Sequence, residues 1–356
     1  MKTRTAIVVL LTAVFLIFTV AGASADTLRL LTWSGYAPKA LVDKFQKETG
    51  IEVKVTYTSN EEMIAKLRAT RGAGFDLAQP SQDRISSVQA KYKIYQPIDL
   101  SKVKTDQIIP SMLEAVKKNT MVDGKPHAVP FCWGTSGLIV NTKKAPDAID
   151  YPAILNEKYA GKVSYRLKRP TLLAIAFAMG DDPFAKYSDA DAYKALMEKT
   201  GAALIKGKKV VKNYWSNGDA LLQSMLANEV WVAMAWDKGG WKLHAENPDI
   251  DFFAPKSGAL GWIDTFALPA KSENVEGAYK WINFMLKPEN AAAFTNLDTT
   301  ANASKGANKF VKPSIRENFE RSFPQAAIDN INWYPPVPAK LESIEGMILD
   351  KVKAAK

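Results

Sequence analysis

The chain of 356 residues carries 47 Lys and Arg against 37 Asp and Glu, a formal net charge of +10, and one cysteine, Cys132. That length suits two compact domains, and a lone cysteine excludes an internal disulfide, so the fold rests on its core. The excess lysines (Lys39, Lys44, Lys47, Lys66, Lys194, Lys199) are scattered along polar helix faces. Nucleic-acid binding needs a clustered basic face, and no nucleic-acid partner is expected.

Lys2 and Arg4 precede an apolar run, Ala6–Val20, and an A-x-A site, Ala23-Ser24-Ala25. This reads as a secretory signal peptide over residues 1–25, too short for a stable membrane span. No cysteine lies near the cleavage site for a lipid anchor, so export to a bacterial periplasm is expected.

In the mature chain, Leu28–Thr32 reads as a strand running into Trp33-Ser34-Gly35-Tyr36. Pro38 opens a helix closed by Gly50, and Ile51–Tyr57 is the next strand. Ser59 and Glu62 form a capping box before Met63, Ile64 and Leu67. Phe75–Ala78 then ends at Gln79-Pro80-Ser81. Strand, helix, strand, helix, strand is the order of an α/β lobe with a largely parallel sheet, which binds ligands beyond the carboxyl ends of its strands.

Val129–Trp133 and Leu138–Asn141 read as two apolar runs linked by Gly134-Thr135-Ser136-Gly137, a place to cross between lobes. Cys132 lies in the apolar context Pro130-Phe131-Cys132-Trp133 and reads as a buried, inert thiol. The second lobe continues through Lys162–Tyr165, an apolar helix Thr171–Met179, a helix capped by Ser188 and Asp191, and Lys209–Tyr214. Ser216 and Asp219 are expected to cap another helix before the strand Val230–Ala235. A return near Asp251–Pro255 and a last crossing near Ala301–Ser304 give lobe 1 as residues 26–134 plus 254–302, and lobe 2 as 135–253 plus 303–356. One continuous sheet would contradict this division. Interleaved lobes without a linker suit a hinged clamp.

The stretch Gly258–Pro269 holds an apolar run, Trp262–Leu268, interrupted by Asp264. A carboxylate there is costly to bury unless cations or donors compensate it. Trp33, Trp236 and Trp262 fall at strand ends or loops beside Ser34, Asp237 and Asp264. An aromatic box with an anionic anchor suits an organic cation. Two histidines, His127 and His244, make no metal motif, and nucleophile elbows, P-loops and dinucleotide fingerprints are missing. No metal, cofactor or catalytic group is expected.

Trp33-Ser34-Gly35-Tyr36, Glu48-Thr49-Gly50-Ile51, Gly74-Phe75-Asp76-Leu77 with Pro80-Ser81, Trp133-Gly134-Thr135 and Gly261–Pro269 keep an order and spacing over essentially the whole mature chain. In this the chain resembles the periplasmic spermidine- and putrescine-binding proteins of ABC transporters. The resemblance implies an α/β two-lobe flytrap fold, no enzymatic activity, a monomer, a small amine ligand and a permease partner in the inner membrane. It further implies that Trp33, Ser34 and Tyr36 line one wall, Ser81 hydrogen-bonds ligand, Trp236 and Trp262 sandwich its methylenes, and Asp264 pairs with an ammonium.

The chain departs from the family pattern where putrescine-binding members carry acids, at Gly35 and near Gly239. It also reads Tyr165-Arg166-Leu167-Lys168-Arg169-Pro170 where they are acidic, and lacks an aromatic residue near Thr300. Arg166 or Arg169 entering the cleft would make the site bipolar and favour a zwitterion; both facing solvent would leave a plain polyamine site. An exported enzyme acting on amines and a sensor on the same fold are the alternatives.

Overall fold

The computed structural model describes residues 26–355; the signal peptide expected over residues 1–25 lies outside them. The strand Thr27–Thr32 pairs in parallel with Glu52–Tyr57 on one side and Leu77–Ala78 on the other. Parallel neighbours need crossovers, supplied here by the helices Lys39–Thr49 and Asn60–Ala69. The first ends at Gly50 in the left-handed region, φ +72°, and the second starts from the Ser59–Glu62 capping box. A second parallel set, Val232–Trp236, Val163–Tyr165 and Val211–Tyr214, carries the helices Arg169–Ala178, Ala190–Lys206 and Gly218–Leu226. Two expected caps are displaced by one residue, to Asp189 and Asn217. Their side chains accept from Ala192 and Ala220 N–H groups, three positions ahead.

Between the two sets lie the antiparallel strands Ala128–Asn141 and Leu260–Pro269. The first is one uninterrupted strand of 14 residues, not two runs with a link. Its glycines reflect packing: a Cβ on Gly134 would stand 2.5 Å from the Trp262 ring, and one on Gly137 2.6 Å from the Phe252 ring. The strand pairs with Leu260–Pro269 through Ser136, then with Val232–Trp236 and Ile250–Phe253. Ala301–Asn302 pairs with it at Trp133 and Cys132, so all three expected crossing points abut this strand. Both sets consequently belong to one ladder of twelve strands among the described residues, where a separate sheet per lobe was expected. The first expected crossing, Gly134–Gly137, thus lies inside a strand that keeps its hydrogen bonds rather than in a loop.

The C-terminal helix Ala339–Ala354 buries Ile344, Ile348 and Val352. It packs against Ala190–Lys206, where Gly201 leaves room for Ile348. Cys132 is fully buried, and burial pushes its thiol up, as expected of an inert core cysteine.

Candidate ligand-binding site

In the ladder Asp264 lies opposite Cys132, Trp262 opposite Gly134, and Trp236 opposite Ser136. Directly paired residues share a face, and alternate residues of a strand do too. Asp264, Trp262 and Trp236 therefore stand on one face of the sheet, over the middle of the long strand. The ladder shifts register between Asp264 and Thr265, where Phe131 of the long strand has no counterpart.

The Asp264 carboxylate is 4% exposed. One oxygen accepts from the Tyr36 hydroxyl at 2.6 Å and the other from the Ser81 hydroxyl at 2.5 Å. Ser81 is itself held by Asn60, whose Oδ1 accepts from its N–H and whose Nδ2 donates to its hydroxyl. Tyr36 and Ser81 thus position the anchor. Burial pushes the Asp264 carboxyl up to about 6, although both hydroxyls favour its ionised form. A carboxylate offers about four lone-pair sites, so two hydroxyls leave acceptor capacity for a cation.

The two loops expected to flank the crevice are tied together. Trp33 donates its indole N–H to the Gln79 carbonyl at 3.1 Å, and Thr32 donates to the Gln79 side chain at 2.6 Å. Trp33 and Trp236 are half-buried, Trp262 is buried, and the Trp262 indole N–H has no partner. Ser34 is exposed on the turn. Trp236 meets Trp215 edge-on at 5.1 Å.

The two arginines of the basic segment have different surroundings. Arg166 lies with its guanidinium carbon 5.3 Å from the ring centres of both Trp215 and Trp236. No side chain or carbonyl among the described residues accepts from that guanidinium. Glu61, on the helix Asn60–Ala69, faces this region. Burial raises its carboxyl, but Arg84, Lys168 and Arg166 outweigh that and hold it below the usual range. Arg169 is held within the fold. It donates to Glu345 at 3.0 Å, to Asp83 at 2.9 Å and to the Tyr187 hydroxyl, and it lies over the Tyr334 ring. All three nitrogens are engaged, so a ligand anion at Arg169 would have to displace one of these partners. Lys168 is exposed.

Residues outside the expected set complete the surroundings. Asp298, at the end of the helix Pro288–Asp298, sends one oxygen toward Gly35, where a Cβ would stand 2.1 Å from it. Asp298 therefore brings a carboxylate against the backbone at Gly35. Its other oxygen accepts from Lys238 at 2.7 Å and from Thr300. Asp237, buried at the start of the helix Asp237–Glu246, accepts from the Thr135 N–H and hydroxyl at 2.7 and 3.0 Å. Burial pushes its carboxyl up to about 6. Thr135–Asp237 and Gly35–Asp298 join residues distant in sequence, and no local motif marks either pair.

Among the described residues no helix is long and apolar enough to cross a membrane. Residues 40–318 match the family model of the bacterial extracellular solute-binding proteins. The chain is 30% identical over 348 residues to the Spermidine/putrescine-binding periplasmic protein of Escherichia coli K12, covering 93% of this chain and 92% of that protein. It is 31% identical over 321 residues to the Putrescine-binding periplasmic protein PotF of the same organism, covering 83% of each. A solved structure titled as a putative spermidine/putrescine ABC transporter from Listeria monocytogenes superposes with a TM-score of 0.82 at 26% identity, over 93% of this chain and all of that one. The α/β architecture is thus the two-lobe fold of periplasmic binding proteins, its lobes joined through the shared strands. By family model and by relatives across nearly its whole length, the chain belongs to the bacterial extracellular solute-binding proteins.

Proposed function

We propose that this protein is the periplasmic receptor of an ABC importer and captures a small organic amine between its two lobes. The observation that carries this reading is Asp264, a buried carboxylate held by two hydroxyls with acceptor capacity left over. Trp33, Trp236, Trp262 and Ser34 would surround the ligand, with Tyr36 and Ser81 holding the anchor. The relatives named for polyamine binding support the amine class, and the solved structure titled as an ABC transporter supports a permease partner in the inner membrane. The chain acts as a monomeric carrier, without catalysis or cofactor.

A second reading, a ligand with an amine at one end and an anion at the other, is favoured by Arg166. A partly buried guanidinium held against two indoles with no acceptor is a ready partner for a carboxylate or phosphonate.

One calorimetric panel tests both. Native mass spectrometry of protein purified without added ligand would first show what it carries. Putrescine, spermidine and ω-amino acids of matched length are then titrated into wild type, Asp264→Ala and Arg166→Ala. A charged hydrogen bond contributes about 1.5–3 kcal/mol, so Asp264→Ala should weaken every amine at least tenfold, and more than Trp262→Phe does. Unchanged affinity in Asp264→Ala removes the anchor. Arg166→Ala should weaken only the amino acids; tight putrescine binding that ignores the change restores the plain polyamine reading. Turnover of any amine would instead indicate an enzyme.

A further inference from the structure

Lys238 is the second residue of the helix Asp237–Glu246, which packs on the second-lobe end of the sheet. Its ammonium reaches Asp298, on a helix that packs against Lys39–Thr49 in the first lobe. The Nζ to Oδ1 distance is 2.7 Å, with the Lys238 and Asp298 side chains 19% and 6% exposed. The same ammonium lies 5.7 Å from the centre of the Tyr36 ring, whose hydroxyl holds Asp264. A primary ammonium, a carboxylate and an aromatic face are the elements of an amine subsite. Here the chain itself supplies the ammonium.

We propose that Lys238 is a specificity-determining residue, a tethered amine that neutralises the second carboxylate of the site and so selects ligands with one cationic end. The inference rests on the amine-receptor reading above and refines it. Of the two carboxylates near Tyr36, Asp264 accepts only from neutral hydroxyls, whereas Asp298 already has its cation. A diamine seated at Asp264 brings a second ammonium toward Lys238 and finds no free anion there. A monoamine, or a zwitterion reaching Arg166, meets no such repulsion. Gly35 belongs to the arrangement, because any side chain at that position would displace the Asp298 carboxylate.

The test compares putrescine with n-butylamine, which share a four-carbon chain and differ by one ammonium. Both are titrated calorimetrically into full-length mature wild type, Lys238→Gln, Lys238→Arg and the double variant Lys238→Gln/Asp298→Asn. Circular dichroism and thermal unfolding establish that each variant is folded. In Lys238→Gln the putrescine-to-butylamine affinity ratio should rise at least tenfold, about 1.4 kcal/mol, because Asp298 becomes available to the second ammonium. Lys238→Arg keeps the charge and should keep the wild-type ratio. The double variant should lose the gain. If Lys238→Gln shifts both amines in parallel and leaves the ratio unchanged, Lys238 is only a strut between lobes and the proposal fails, while amine capture at Asp264 stands. If wild type binds neither amine, capture of simple amines at Asp264 fails and takes this proposal with it.

Discussion

Asp264 is anchor and liability at once. Its carboxyl is pushed up to about 6, against about 4 for a free aspartate, so between those values the folded protein holds a proton that the unfolded chain has released. The ligand-free protein should therefore lose stability as pH rises from about 4 to 6, by on the order of 2–3 kcal/mol from this group, and stay at the lower level above that. Asp237, raised likewise, adds a contribution of the same sign. Binding has the opposite dependence, because an ammonium needs the ionised carboxylate: amine affinity should fall about tenfold per pH unit below about 6 and be flat above 7. Asp264→Asn should abolish that pH dependence and raise the melting temperature of the ligand-free protein at pH 7. Calorimetry and thermal scans across pH 4–8 check both; a melting temperature lowered by the substitution would contradict the assignment. Asp264 and the three tryptophans were legible in the sequence because an isolated acid in an apolar strand and indoles at strand ends are local signals. Lys238 and Asp298 lie 60 positions apart and show no such signal. For Arg169, partners 86 and 176 positions away decide between a buried ion pair and a ligand contact.

Among the elements, the strand Ala128–Asn141 departs most from its sequence. Two glycines flanking Thr135-Ser136 read as a flexible link, because glycine is the usual punctuation between strands. In the folded protein they are the floor beneath two aromatic rings, one of them Trp262. The parallel units were legible because capping boxes and alternating apolar residues are contiguous, whereas a glycine required by a ring 128 positions away is not. Gly134→Ala would press a methyl into Trp262, and overpacking of this kind costs about 1–3 kcal/mol. The variant should melt earlier and bind amines more weakly, since the displaced ring belongs to the site. Wild-type stability and affinity in Gly134→Ala would show that the ring has room to move.

For the whole molecule, the decisive contacts are those that span the lobes. Arg169 joins Asp83, in the turn after Ser81, to Glu345 on the C-terminal helix, and Arg84 meets Glu342 on that helix at 3.2 Å. Asp83 and Glu345 are each 4% exposed, so removing their cation leaves two buried carboxylates without a counter-charge, Glu345 keeping only the Tyr193 hydroxyl. Arg169→Met should cost about 3–5 kcal/mol without altering the preference between diamines and amino acids. Denaturant unfolding and the same ligand panel check this; a changed preference with little lost stability would return Arg169 to the ligand. The succession of strands and helices was legible from local patterns, but the single ladder was not, since pairing between distant strands leaves no local mark. That ladder has a mechanical meaning. Two strands hydrogen-bonded along their length make a leaf spring rather than a pin joint, so rotation of one lobe against the other is delivered as torsion spread over many residues. The register shift between Asp264 and Thr265 interrupts the regular ladder, and such an interruption bends a strand and increases its local twist. A load applied by a ligand at Asp264 therefore enters the spring beside that break in its pairing.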